Sequence, residues 1–325
     1  MKKGVSKGNQ LFKSTNQMPN KSFDEAHEEY INNLKIIGRS EETIRTYNHH
    51  KKYFLNFLGG NVKCSEINEE TLNKYILYLH NKNIRAVSIN SYLQNISPII
   101  KFCIKKGYIK HGFMIPRVKG QEKIKEVLTD EELKMLLESP KKTDFVTIRT
   151  YVIIWVLAST GIRASELRNL RVKNVDIIGR TIVCNHTKNK KARYLPISNS
   201  LAVILSEYMQ YREGEVEDYL FPTVYGDMMS STTLQKSVSN YAKERGVRKQ
   251  GIHIHRHTFI TNSVLKNVSP IILKSITGHS TFKELNRYYH NNTSSLVEII
   301  DSIAPKMKNK QSNFKKRSNI RSKDE

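Results

Sequence analysis

The run YVIIWVLA at 151–158 constrains this chain more than any other stretch. Every residue in it is apolar or aromatic, so it must be covered by protein or by lipid. A bilayer asks for about 18 consecutive apolar residues, and no run in the sequence approaches that. The stretch is therefore read as a core helix that a folded domain must surround. It stops at Thr160-Gly161, where a short polar helix restarts.

The chain has 325 residues, and at about 150 residues per domain there is room for two cores. Apolar residues make up 38 % and charged residues 26 %, which suits a soluble globular protein. The start MKKGVSKGNQLFKS is basic, but no apolar stretch follows it, so secretion is not expected. Cys64, Cys103 and Cys184 are widely spaced and form no CxxC pair. That argues against a disulfide framework or a structural zinc site and fits a reducing cytoplasm. Lys and Arg number 54 against 30 Asp and Glu, a formal charge of +24. Such a field favours polyanions. Ribosomal and membrane-surface proteins are basic too, so charge alone does not name the partner.

Periodicity divides the chain into parts. Residues 1–21 read as a basic flexible arm, and 22–112 as a domain of about four helices. Within it Ser40 is a candidate N-cap, and Gly59-Gly60 a stop. Residues 113–128 read as a linker. The second domain, 129–303, opens on a capping box between Thr129 and Glu132. The stretch RTIVCNHTKNKKARYLPIS alternates on both sides of a lysine-rich tip and reads as a hairpin. Ile182 and Cys184 share one face, and Tyr194 and Pro196 flank Leu195 on the return. Helices follow, one of them with Ser269 as N-cap and Pro270 in its first turn. The helix SSLVEIIDSIAP closes the domain with Leu296, Ile299, Ile300 and Ile303 on one stripe. Residues 304–325 read as a basic tail. The fold class is mainly α with a small β-sheet or hairpin.

Four features carry candidate chemistry. In STGIRASEL, Arg163 follows a glycine turn at a helix start, and Glu166 lies three residues on, on the same face. Alone, this is most simply a surface ion pair. In GIHIHRHTF, a strand would put His253, His255 and His257 on one face, as for a metal. A helix would pair His253 with Arg256 to grip an anion. Phe259, Val264 and Leu265 favour the helix. In TGHST, His279 projects from the turn made by Gly278. Tyr288 and Tyr289 stand side by side in RYYH, and a helical tyrosine usually fills a core. Together these residues suit one phosphoryl transfer. Two arginines and one or two histidines neutralise the phosphate, a tyrosine attacks, and a lysine protonates the leaving alkoxide. Guanidinium groups supply the charge, so no metal is required.

The motifs TGIRASEL, TKNKKARYLPI, HIHRHTFIT, TGHS and RYYH stand in one order, and together they are specific. From about residue 22 to 303 the chain resembles the tyrosine recombinases of the phage integrase family. The resemblance implies a helical, SAM-like core-binding domain, followed by a mixed α+β catalytic domain. It implies site-specific exchange of DNA strands through a 3′-phosphotyrosine link and a four-way junction. Arg163 and Arg256 would clamp the phosphate, and His279 would hydrogen-bond it. Lys188 would be the general acid, His253 a general base and Tyr288 the nucleophile. Glu166 and His257 would support them. The hairpin tip lacks the family's usual glycines, so Lys190 and Lys191 stay in contention with Lys188. His255 stands where leucine is usual, at a cost in packing or with a need for a partner. The implied partners are duplex DNA recombination sites, further copies of the chain in a tetramer, and accessory directionality or bending proteins. No cofactor, no ATP and no membrane are implied, and the expected location is the cytoplasm, with the nucleoid. In the family the closing helix docks on a neighbouring subunit; docking in cis stays open here. Mobility of a genetic element is the expected role. Chromosome-dimer resolution, a type IB-like topoisomerase and a DNA-binding regulator are the alternatives.

Overall fold

The computed structural model describes residues 21–120, 126–185, 192–249, 251–279, 281, 285 and 288. The chain divides into two compact units, Met1–Ile124 and Lys125–Glu325.

The first unit holds α1 (Phe23–Ile36), α2 (Glu41–Leu58), α3 (Glu69–Asn81) and α4 (Ala86–Lys105). Its helix starts are set by side chains that accept the first free amides. Ser22 and Asn68 form capping boxes with Glu25 and Thr71, and Ser40 caps α2. Gly59 ends α2 in the left-handed conformation. Phe23, Phe54 and Tyr75 stack edge-on in the core at 5.2 and 5.0 Å. Beyond α4, both backbone groups of Val118 bond the Asn90 amide, at 2.8 and 2.9 Å, so this stretch is tied to α4.

The second unit is built around α6 (Phe145–Thr160), which carries YVIIWVLA and has buried residues around most of its circumference. Packed on it are α5 (Asp130–Leu137), α8 (Asn199–Arg212), α9 (Ser231–Glu244) and α10 (Ile252–Leu265). The core helix expected from the sequence is thus enclosed by protein. Among the described residues no helix is long and apolar enough to cross a membrane. The Thr129–Glu132 capping box starts α5, with both bonds made.

Between α6 and α8 lie the short α7 (Ala164–Arg168) and three antiparallel strands, β1 (Val175–Asp176), β2 (Thr181–Cys184) and β3 (Arg193–Pro196). The register pairs Ile182 with Leu195 and Cys184 with Arg193. All four face inward, and Tyr194 and Pro196 face out. The hairpin is therefore one side of a small sheet. After α10, Ser269 caps α11 (Pro270–Thr277), which Gly278 ends. Ile260, Val264, Leu273 and Leu285 close a small core, and Tyr288 packs at its edge.

Candidate active site

Two helix ends build the site. Gly161 stops α6 with φ 59°, and a Cβ there would lie 2.5 Å from the Phe259 ring. Only glycine suits both the angle and the space. Gly278 stops α11 with φ 66°. The last carbonyls of a helix have no partner within it and carry the negative end of its dipole. Both ends offer theirs to arginines.

Arg256, 8 % exposed, donates from Nη1 to the Gly161 carbonyl at 2.6 Å and from Nη2 to that of Thr277 at 2.8 Å. One planar fork therefore ties the end of α6 to the end of α11. Burial first, then the like charges of Arg163 and Arg193, push the Arg256 pKa down to about 10, still cationic at neutral pH. His279 Nε2 lies 3.3 Å from Arg256 Nη2, and its Nδ1 is 2.7 Å from Thr277 Oγ1. Thr277 Oγ1 donates to Leu273 O, so it accepts from His279 Nδ1–H and Nε2 is left as the acceptor toward Arg256.

Arg163 precedes α7, where the Glu166 carboxylate takes its backbone N–H at 3.0 Å and its Nη1 at 3.1 Å. Its Nη2 donates to the Gly278 carbonyl. Glu166 is 2 % exposed, so the reading as a surface ion pair is replaced by a buried one. Arg193 Nη2, from the hairpin, donates to the second oxygen of the same carboxylate. A carboxylate this buried is tolerated because cations hold both of its oxygens. A Cβ on Gly278 would stand 2.9 Å from Arg163 Nη1 and 3.1 Å from Arg193 Cδ.

Tyr288 Oη lies 2.6 Å from His257 Nδ1. His257 follows Arg256 on α10, so the phenol sits one residue along the helix from the arginine fork. His253 is exposed on α10, and among the described residues no hydrogen bond joins it to Arg256 or Tyr288. As a helix, α10 turns His253 outward and His255 inward, which separates the histidines that the metal reading needs on one face. Lys188, Lys190, Lys191, Tyr289, the closing helix, the arm up to residue 20 and the tail lie outside the described residues.

Sequence reasoning missed Arg193. The signal was in the strand alternation: if Leu195 faces the core, so does Arg193, and an inward arginine needs a carboxylate.

His255 is 2 % exposed, and its Nδ1 has no hydrogen-bond partner among the described residues. Burial lowers its pKa to about 4. The unfolded chain, with a histidine pKa of about 6.5, then takes up this proton first as the solution is acidified. Stability from this residue is complete above about pH 6.5 and is lost as the pH falls toward 4. His255→Leu is expected to flatten that loss and to raise stability by about 1 kcal/mol near neutral pH. Denaturant melts at pH 7 and pH 5 measure both. His27, its pKa lowered to about 4 mainly by burial, keeps its own slope in the first unit.

The model of the phage integrase family matches residues 126–295, and that of the phage integrase SAM-like domain matches residues 22–115. The chain belongs to the phage integrase family. This integrase is 24 % identical to tyrosine recombinase XerC of Thermodesulfovibrio yellowstonii over 288 residues, covering 85 % of this chain and 95 % of that one. It is 27 % identical to XerA of Saccharolobus solfataricus, covering 80 % and 86 %. Its fold is similar to that of the Tn1549 transposon integrase solved with transposon right-end DNA: TM-score 0.74, 19 % identity, 88 % of this chain and 100 % of that one. Membership makes the chain a tyrosine recombinase, an enzyme of site-specific DNA recombination. The integrase thus holds three arginines, one buried carboxylate, two histidines and a phenol in its second unit, where a phosphodiester would need cations and a nucleophile.

Proposed function

We propose that this integrase cuts and rejoins DNA by attack of Tyr288 Oη on a backbone phosphorus. The new bond is a 3′-phosphotyrosine, and the bond to the 5′-oxygen breaks. Arg163 and Arg256 neutralise the non-bridging oxygens, and His279, once protonated at Nε2, donates a hydrogen bond to one of them. Lys188 is assigned the proton that the leaving 5′-oxygen takes, with Lys190 and Lys191 as the alternatives. A 5′-hydroxyl from the partner duplex then attacks the phosphotyrosine, which frees the phenol. The phosphate bond energy is kept throughout, so neither ATP nor metal enters.

The 2.6 Å contact between Tyr288 Oη and His257 Nδ1 carries this reading. A phenol with a pKa near 10 is a weak nucleophile, and an acceptor within hydrogen-bond reach makes it a better one. The candidate bases are then His253, which the resemblance implies, and His257, and the contact favours His257.

The wider role follows the same reading. Duplex recombination sites are the substrate, four copies act together through a four-way junction, and accessory directionality or bending proteins assist. Movement of a genetic element is favoured over chromosome-dimer resolution. Activity in the cytoplasm, on the nucleoid, is expected. A type IB-like topoisomerase would share this chemistry. Supercoil relaxation without paired-site exchange would favour it.

The test is a nicked suicide duplex built on the sequence that the protein enriches from a randomised DNA pool. A covalent protein–DNA adduct that forms in EDTA is expected, and its absence contradicts the reading. Gly278→Ala is expected to cost about 1–2 kcal/mol for its left-handed backbone. It should also slow adduct formation by about tenfold, because its Cβ displaces Arg163. A thermal melt beside the adduct assay separates the two effects.

A further inference from the structure

Arg193 has no part in the roles assigned above. It opens β3 opposite Cys184, and its side chain is 9 % exposed. Its Nη2 donates to Glu166 Oε2, and Arg163 Nη1 takes Oε1 of the same carboxylate at 3.1 Å. The Nε and Nη1 of Arg193 are buried and have no hydrogen-bond partner among the described residues.

Consider Glu166 with Arg163 alone. The two would form a neutral buried pair, and the carboxylate would cancel the charge that Arg163 offers to an anion. With Arg193 present, one negative charge is shared by two guanidinium groups. Glu166 can then orient Arg163 without neutralising it. The nearest turn is that of Gly278. A Cβ there would lie 3.2 Å from Arg193 Nε and 2.9 Å from Arg163 Nη1, so both guanidinium groups crowd the same glycine.

We propose that Arg193 is a positioning residue for strand cleavage: by holding and neutralising Glu166 it keeps the charge of Arg163 available and aimed at the scissile phosphate. This rests on the reading of Arg163 as a phosphate clamp and Tyr288 as the nucleophile. It assigns a function to the buried root of the hairpin, separate from that of its lysine tip.

The experiment compares Arg193→Met with the unaltered protein on two nicked suicide duplexes. One carries the ordinary phosphodiester. The other carries a methylphosphonate at the scissile position, which lacks the negative charge that an arginine would neutralise. Arg193→Met is expected to slow adduct formation by about 100-fold on the phosphodiester and to come within about 3-fold of the unaltered protein on the methylphosphonate. Equal losses on both duplexes, or no loss on either, overturn the proposal. If the Met variant lacks a thermal unfolding transition, Arg193→Gln carries the same comparison, because it also removes the charge while keeping a donor for the Glu166 carboxylate. Loss of the transition in both variants also overturns it, since Arg193 would then serve the fold. Failure of the unaltered protein to form an adduct on the phosphodiester would instead sink the reading of Tyr288.

Discussion

Tyr288→Phe is expected to fold, to bind DNA as the unaltered protein does, and to form no covalent adduct. The ring of Tyr288 packs beside Ile260, Val264, Leu273 and Leu285, and phenylalanine keeps that contact. The hydroxyl bonds His257 Nδ1, and its loss costs folding about 1 kcal/mol. Chemically the loss should be complete, because in the proposed reaction the hydroxyl oxygen is the atom that joins phosphorus. Adduct formation should fall at least about 10⁴-fold, to the floor of a denaturing-gel assay. A mobility-shift assay run beside it should show unchanged affinity. The pair of results separates loss of a nucleophile from loss of the fold. Reduced binding together with reduced cleavage would count against the assignment.

The second large effect belongs to Arg256. Its fork meets the Gly161 and Thr277 carbonyls at once, and Nη2 also lies 3.3 Å from His279. Arg256→Lys keeps a charge but cannot span two carbonyls with one planar group. Strand cleavage should fall about 10³-fold in Arg256→Ala and about 10²-fold in Arg256→Lys. Arg256→Ala also strands two carbonyls at helix ends, at about 1–3 kcal/mol of stability. The lysine variant is therefore the cleaner probe. Single-turnover cleavage with saturating enzyme reads the chemical step, and a denaturant melt reads the fold.

Much of the fold was legible because its signals are local. Ser40 and Gly59 bound α2, Thr129 and Glu132 start α5, and Ser269 with Pro270 starts α11. Each of these rests on residues a few positions apart. The Arg163–Glu166 pair was legible for the same reason, although its burial was not. Spacing cannot say that the sheet and the ends of α6 and α11 close over that carboxylate. Arg193 meets Glu166 across 27 positions, and Arg256 meets the Gly161 carbonyl across 95. Those contacts exist only once the second unit has folded. The contact between His257 and Tyr288 was not legible either, because it joins residues 31 positions apart. Strand β1 escaped notice because two residues carry no readable alternation.

In the proposed reaction one phenol, that of Tyr288, becomes covalently joined to DNA. The direct measurement is to trap the adduct on the suicide duplex, digest protein and DNA, and locate the nucleotide-bearing peptide by fragmentation mass spectrometry. Tyr288 and Tyr289 are adjacent, so the fragment series must break between them. A nucleotide 3′-phosphate on Tyr288 is the predicted result. A nucleotide on Tyr289, on a serine or on a histidine would contradict it.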